Sequence, residues 1–382
     1  MRVTFLATLP PQSSTIIGRT IPLANELQRH GHQARIITLG KQQNEKFNVP
    51  IVCAGPSFRD SSKKPNKVDL ISRYFLGKKG LTNALYAQNA DIVVLVKPHP
   101  QNYAAVKKLN VPIILDTDDD EVYASRLSSL EQKFMQNIEK NSAEKATLIS
   151  CCSQFLVEKY STNFPNKQVE FIPNGISKIK TEKNINLRQK FSIPDDEQIM
   201  LYIGALAISS GHRIDLVLSA WKKISQENPK LHFILAGDGI DEQTIRAQAA
   251  KLSDPDRIHF LGRFDNEMSQ NLALQANVII DPVDDSQANQ AKSSSRALLG
   301  LITGIPVVSG NIGIRKNILP YKTQNWALYN IQNINSMTDS IKYSLTNTAH
   351  EQFSKEAADA WKQWTWEQIG VKFSSLLENI IP

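Results

Sequence analysis

Cysteine is scarce: Cys53, Cys151 and Cys152 are the only three in 382 residues. They cannot all pair and none stands at a metal-type spacing, so a disulfide framework and a cysteine-based zinc site are not expected, and a reducing cytosol fits. Long apolar runs are missing too. The longest, such as "ALLGLITGIPVV" (297–308), fall short of the roughly 18–20 residues that a spanning helix needs. The opening "MRVTFLATLPP" lacks the longer apolar region and cleavage site of a signal peptide and reads as a first strand. No low-complexity tract and no nucleic-acid-binding module is present, so nucleic acid is not an expected partner. What remains is an ordinary globular composition, 41% hydrophobic and 21% charged, on a chain too long for one core, so two domains are expected.

Charge is present but lopsided. Residues 1–175 hold 22 Lys+Arg against 15 Asp+Glu, and the remainder holds 22 against 22, so the whole net charge of +7 sits in the first half. Much of it lies in "RDSSKKPNKVDLISRYFLGKKG" (59–80), with Arg59, Lys63, Lys64, Lys67, Arg73, Lys78 and Lys79.

Short apolar runs alternate with helix-type segments along the chain. "RVTFLATL", "ARIITLG", "PIVCAG", "DIVVLV", "VPIILD", "TLISCCS" and "VEFIPNG" read as strands of a parallel sheet covered on both faces. A long polar helix is expected over 127–146 and a polar linker over "SKIKTEKNINLRQKF" (177–191). The pattern restarts with "IMLYIGAL", "LHFILAG", "RIHFLG", "NVIIDPV" and "PVVSG", with helices expected at 214–227, 241–252, near 267–276 and at 293–303. Two successive α/β units suggest two Rossmann-like domains, whose ligands bind beyond the carboxyl ends of the strands.

That rule locates the motifs. "NQAKSSSRALLG" puts Lys292, Ser293, Ser294 and Arg296 at a helix start just after the strand ending in "DPVDD". The free N–H groups and partial positive charge of such a start, with two cations, make a seat for a diphosphate; the bland reading is a capped, solvent-facing helix end. "GALAISSGHRID" offers a second loop with Gly204, Gly211, His212 and Arg213, where arginine suits bidentate phosphate binding. Gly237 and Gly239 of "AGDG", and Leu261 of "FLG", end neighbouring strands where backbone groups can hold a nucleoside base.

The order "YIGAL", "HRIDLVLSAW", "HFILAGDG", "IHFLGRF", "ANVIIDPVDD", "KSSSRALLGLITGIPVV" and the closing "WTWEQI" resembles the retaining glycosyltransferases of family 4. The early Gly18, "ANELQRHGHQARIITL" and "IPNG" (172–175) agree. The resemblance implies a GT-B fold: two Rossmann-like parallel-sheet domains facing a cleft, with a C-terminal helix crossing back to the first. It implies an acceptor-binding domain over 1–178 plus about 360–382, and a nucleotide-sugar-binding domain over 190–358. Donor-phosphate roles carry over to Arg213, Lys292 and Arg296, and Gly18, Gly204, His212, Gly237, Gly239, Leu261, Ser293 and Ser294 complete the expected donor site. One departure is clear. Ala291 and Leu299 stand where the family carries two glutamates, and Ala205 and Ser210 where its basic pair often sits. The "N-x-A-K-x-x-x-R" form is similar to a branch that uses the lysine and second cation instead.

"LDTDDDE" packs Asp116, Asp118, Asp119, Asp120 and Glu121 after one strand. Asp116-Thr117-Asp118 matches the metal-binding D-x-D of a different glycosyltransferase fold. A solvated strand end feeding the next helix suits Asp120 and Glu121. Asp116, Asp118 and Asp119 are also placed to hold an acceptor hydroxyl, with Asp118 and Asp119 favoured as catalytic groups beside Arg213 and Lys292. Lys97 and His99 of "VKPHP" reach the same rim, to meet an acceptor phosphate or to neutralise the acids. The basic segment 59–80 mixes cations with Leu70, Ile71, Tyr74, Phe75 and Leu76, which suits an anionic membrane surface; the alternative is a solvated loop over a core-packing helix.

The expected function is transfer of a hexose from a nucleotide diphosphate sugar to a hydroxyl of a cell-envelope or lipid-linked glycan. No metal or other cofactor is expected, and the protein is placed in the cytoplasm, peripherally at the inner face of the membrane. A catalytically silent glycosyltransferase-like partner protein and a GT-B-fold sugar-nucleotide epimerase are the alternatives.

Overall fold

The computed structural model describes residues 1–41, 47–57, 67–123, 127–178 and 182–380. They form two compact units, Met1–Gly175 with Thr365–Pro382, and Ile176–Trp364.

Unit 1 is built on seven parallel strands: β1 (Arg2–Leu6), β2 (Gln33–Thr38), β3 (Ile51–Cys53), β4 (Ile92–Val96), β5 (Ile113–Thr117), β6 (Leu148–Cys151) and β7 (Gln168–Phe171), in the order β3-β2-β1-β4-β5-β6-β7. Runs such as "IVVLV" of β4 are buried at every position, as expected where helices cover both faces of a parallel sheet. Strand order reverses between β1 and β4, and ligand sites form at such a switch point. The core joins Val3, Phe5, Val94, Ile114 and Leu148 to Trp366, Ile369, Phe373, Leu376 and Leu377 of the helix Trp366–Ile380. Phe373 faces Phe5 with ring centroids 6.5 Å apart. Gly370 lets this helix approach the helix Ile21–Arg29 so closely that an added Cβ would run into Glu26.

Unit 2 repeats the plan with six parallel strands: β8 (Gln198–Ile203), β9 (Leu231–Ala236), β10 (Ile258–Gly262), β11 (Val278–Asp281), β12 (Val307–Gly310) and β13 (Leu328–Tyr329), in the order β10-β9-β8-β11-β12-β13. Its switch point lies between β8 and β11. The helix Ile214–Glu227 spans the expected residues and buries Val217, Leu218, Trp221 and Ile224. Others are shorter than their periodicity implies. The helix expected from 293 starts at Ser295, because Lys292 and Ser294 are extended and the Ser294 hydroxyl caps it by accepting from Ala297 N. The polar stretch expected as a linker also holds a short helix, Leu187–Phe191, capped by Asn186.

In the basic segment, Arg59, Lys63 and Lys64 lie outside the described residues, as do the side chains of Lys67 and Leu70. The helix Lys67–Tyr86 follows. Its first half leaves large side chains in solvent, with Ile71 59% exposed, Phe75 59% and Leu76 54%, whereas its second half packs into the core through Leu81 and Leu85. No described helix is long and apolar enough to cross a membrane.

Candidate functional site

In unit 2 the chemistry gathers at the carboxyl ends of β8, β9, β11 and β12. Asp281, the last residue of β11, is completely buried. Its carboxylate accepts from Arg296 Nε (2.7 Å), Arg315 Nε (2.8 Å), Ser294 Oγ (2.7 Å) and Ser309 Oγ (3.0 Å). Burial pushes this carboxyl up, but Arg296 and Arg315 more than offset that and hold it well below the usual carboxylate range. One negative charge between two guanidiniums leaves the buried cluster positive.

Arg296 is fixed on every side. Nη1 donates to Ile203 O (3.2 Å), Nη2 lies 3.4 Å from His212 Nδ1, and the guanidinium carbon is 4.9 Å from the Tyr202 ring centre. Gly204 is left-handed at φ +143°, and a Cβ there would fall 2.7 Å from Arg296 Nη1, so both backbone and space require glycine. His212 is neutral: burial first, then Arg296 and Lys292, depress it to about 3. Since Arg296 is donor only, Nδ1 must accept, which leaves Nε2–H as the donor. Lys292 Nζ donates to Ser210 O (2.7 Å). Beside it, the Ser293 hydroxyl is buried without a hydrogen-bond partner. A buried, unanswered hydroxyl beside two cations at a helix N-terminus is what an anion would satisfy.

The structure therefore brings together Gly204, His212, Lys292, Ser293, Ser294 and Arg296. Gly237, left-handed at φ +141°, abuts the Gly204 carbonyl and donates its N–H to Gly262 O (2.9 Å), and Gly239 abuts the Leu206 backbone. Leu261 sits on β10 next to that bridge. Arg213 departs from the expected phosphate grip. Its Nε and Nη2 take Asp215 (2.9 and 2.6 Å) and Nη1 takes Asp284, so its fork is filled by carboxylates. Gly18 belongs to the other unit, in the short helical segment Ile16–Thr20 that runs into the helix Ile21–Arg29. The sequence reading missed Tyr202, Asp281, Ser309 and Arg315; "DPVDD" marked the right strand end, but nothing local pairs it with residue 315.

In unit 1 the corresponding edge holds a cation enclosed by acids. Lys97 follows β4 with φ +67°, and its ammonium lies 3.0 Å from Asp118, 2.9 Å from Asp119 and 2.6 Å from Glu121. Burial lowers this lysine, but Asp118, Asp119 and Glu121 outweigh burial and raise it well above its ordinary value. His99 Nε2 lies 3.1 Å from Glu121 Oε2 and its Nδ1 2.5 Å from Thr8 Oγ1. Asp118, Asp119 and Glu121 each bring an oxygen within 4.8 Å of the others, a donor set suited to a hard cation; here the Lys97 ammonium meets all three.

Three expectations are corrected. Asp116 is 1% exposed and both oxygens are taken, by Arg19 (2.9 and 2.6 Å) and by Ser150, so it neither completes a D-x-D with Asp118 nor faces an acceptor. Arg19 in turn donates to Asn174 (2.8 Å). Asp120 is buried against Lys159 (3.1 Å), and Glu121 is held by Lys97 and His99, so neither is a solvated lead-in to the next helix. That helix, Ser129–Lys145, is capped instead by Ser128 and Glu131. Finally, Lys97 spends its charge on carboxylates, so of its two readings neutralisation holds and phosphate binding does not.

Comparison with known proteins places both halves. A family model described as Glycosyltransferase Family 4 matches residues 20–178, and one described as Glycosyl transferases group 1 matches residues 183–361. An uncharacterized glycosyltransferase of Methanocaldococcus jannaschii is 24% identical over 254 residues, 64% of this chain and 63% of the relative. The O-antigen biosynthesis glycosyltransferase WclY of Escherichia coli is 26% identical over 227 residues, 58% of this chain and 59% of the relative. The chain thus spans less than two thirds of the length of these curated relatives. Among solved structures, Anabaena HepE in complex with UDP-glucose superposes with a TM-score of 0.76 at 14% identity, covering 99% of this chain and 100% of that one.

Proposed function

The chain belongs to the group 1 glycosyltransferases of GT-B fold, and on that premise we infer that it transfers a hexose, with retention, from a nucleotide diphosphate sugar to a glycan hydroxyl. The observation that carries this reading is the positive seat at the start of the helix Ser295–Thr303, where Arg296, Lys292 and the unanswered Ser293 hydroxyl meet. When the donor's C–O bond breaks, charge grows on the β-phosphate while the sugar becomes oxocarbenium-like. Fixed cations at that oxygen lower the barrier. Lys292 and Arg296 supply them, with His212 as a neutral N–H donor, and no metal is called for.

The acceptor falls to unit 1, where Asp118, Asp119 and His99 would hold a sugar hydroxyl. The relatives are described as glycosyltransferases, including one of O-antigen biosynthesis, which favours neither a silent partner nor an epimerase. They support a glycan acceptor of the cell envelope. A lipid-linked acceptor would bring the protein to the inner membrane face, and the exposed Ile71, Phe75 and Leu76 with Lys78 and Lys79 on the helix Lys67–Tyr86 suit such a surface.

The test is binding of nucleoside diphosphates and their sugars, followed by thermal shift with and without chelator. Wild type should be stabilised by at least one in the presence of chelator. Lys292→Ala should weaken it by about 1.5–3 kcal/mol, as for a lost charge-assisted hydrogen bond. Stabilisation that requires added divalent metal would overturn the metal-free reading.

A further inference from the structure

A buried carboxylate bridging two arginines is a costly arrangement if stability is its only purpose, because apolar residues of similar volume often serve a core as well or better. Here the arrangement borders the diphosphate seat. We propose that Asp281 and Arg315 are positioning residues, which aim Arg296 and the segment Lys292–Ser294 at the donor's diphosphate. The proposal rests on the donor-binding reading of unit 2.

The contacts fix that segment from both sides. On its C-terminal side, Asp281 holds the capping Ser294 (2.7 Å) and Arg296 Nε (2.7 Å) with one carboxylate, so helix start and guanidinium share an anchor. On its N-terminal side, Arg315 donates Nε to Asp281 (2.8 Å) and Nη1 to the Asn289 carbonyl (3.2 Å), tying down the helix Gln287–Ala291 that leads into Lys292. Ser309, from β12, completes the carboxylate's partners (3.0 Å). Arg296 is gripped at Nε by Asp281, lies over the Tyr202 ring and has its fork oriented by Ile203 O and His212. Arg315 is 2% exposed and is itself too deep to meet a ligand. Its hydrogen bonds reach the seat through Asp281 and the Asn289 carbonyl.

Asp281→Asn keeps the shape but leaves two guanidiniums without their counter-charge. Arg315→Lys keeps the charge but cannot span both partners. Each should shift Arg296 and Lys292 by a fraction of an ångström to an ångström, and a misplacement near 1 Å can cost on the order of 100-fold in a positioned interaction. The measurement is calorimetric affinity for a nucleoside diphosphate and for its matching nucleoside, in wild type and both variants. The ratio of the two affinities should fall about tenfold or more, with nucleoside binding retained, because a general loss of packing would weaken both ligands together. Should Asp281→Asn not fold, Arg315→Lys and the milder Ser309→Ala carry the comparison. Wild-type binding with an unchanged ratio in the variants overturns the positioning role alone. A wild type that binds no nucleoside diphosphate overturns the donor reading and this proposal with it.

Discussion

Lys97 combines a left-handed backbone, φ +67°, with a buried ammonium. Such a backbone costs on the order of 1–3 kcal/mol in a non-glycine residue. Here its N–H donates to Asp116 O (2.9 Å) and its carbonyl accepts from His99 N (2.9 Å) and Asn102 Nδ2 (3.2 Å), while the three carboxylates hold the ammonium. Glu121 is the partner best suited to test this. Burial raises its carboxyl, but Lys97 and His99 outweigh burial and bring it below its ordinary 4.5. A depressed carboxyl contributes stability that is present above the unfolded value and is lost as pH falls through the folded one. Glu121→Gln should therefore destabilise the protein at pH 7 by about 3 kcal/mol, the lower end for a broken buried pair. The gap to wild type should close as pH drops below 4.5. Denaturant unfolding at several pH values reads this directly; a gap that stays constant would refute it. Lys97, His99, Asp118 and Asp119 were legible in the sequence because they follow apolar strands at the edge where ligands gather. Arg19 and Arg315 were not. Their carboxylate partners lie 97 and 34 residues away, and no local pattern records such a pairing.

Secondary structure was easier to read than its ends. Strands such as β4 and β9 are solidly apolar because both faces are covered, and that signal survives in a single sequence. Helix starts depend on which hydroxyl captures a backbone N–H, and three successive serines before Arg296 left the choice open until Ser294 was seen to cap. The helix Trp366–Ile380 was legible as a helix from its periodicity, but its attachment to unit 1 came only from resemblance. Phe373 offers the test. It is fully buried against Phe5, and Phe373→Ala should cost about 3–5 kcal/mol. Hydrogen exchange should show protection falling in β1 and in the helix Ile21–Arg29, while β8 and β9 keep theirs. Equal loss in both units would count against the assignment of this helix to unit 1.

Taken as a whole, the molecule carries its basic excess in unit 1, where residues 1–175 hold 22 Lys+Arg against 15 Asp+Glu. Cations near an anionic bilayer contribute about 1 kcal/mol each. Replacing Lys78 and Lys79 with Gln should then lower co-flotation with vesicles of anionic lipid by roughly tenfold or more, and 0.5 M salt, which shortens screening to a few ångströms, should do the same to wild type. Flotation indifferent to both changes would exclude the surface. The return of the helix Trp366–Ile380 to unit 1 also has a consequence for biosynthesis. On the ribosome, the half made first cannot close its core until this helix emerges, whereas Ile176–Trp364 is already complete. The nascent N-terminal sheet must wait with an apolar groove open while its younger neighbour folds, and a chaperone that shields apolar surface would find its client there.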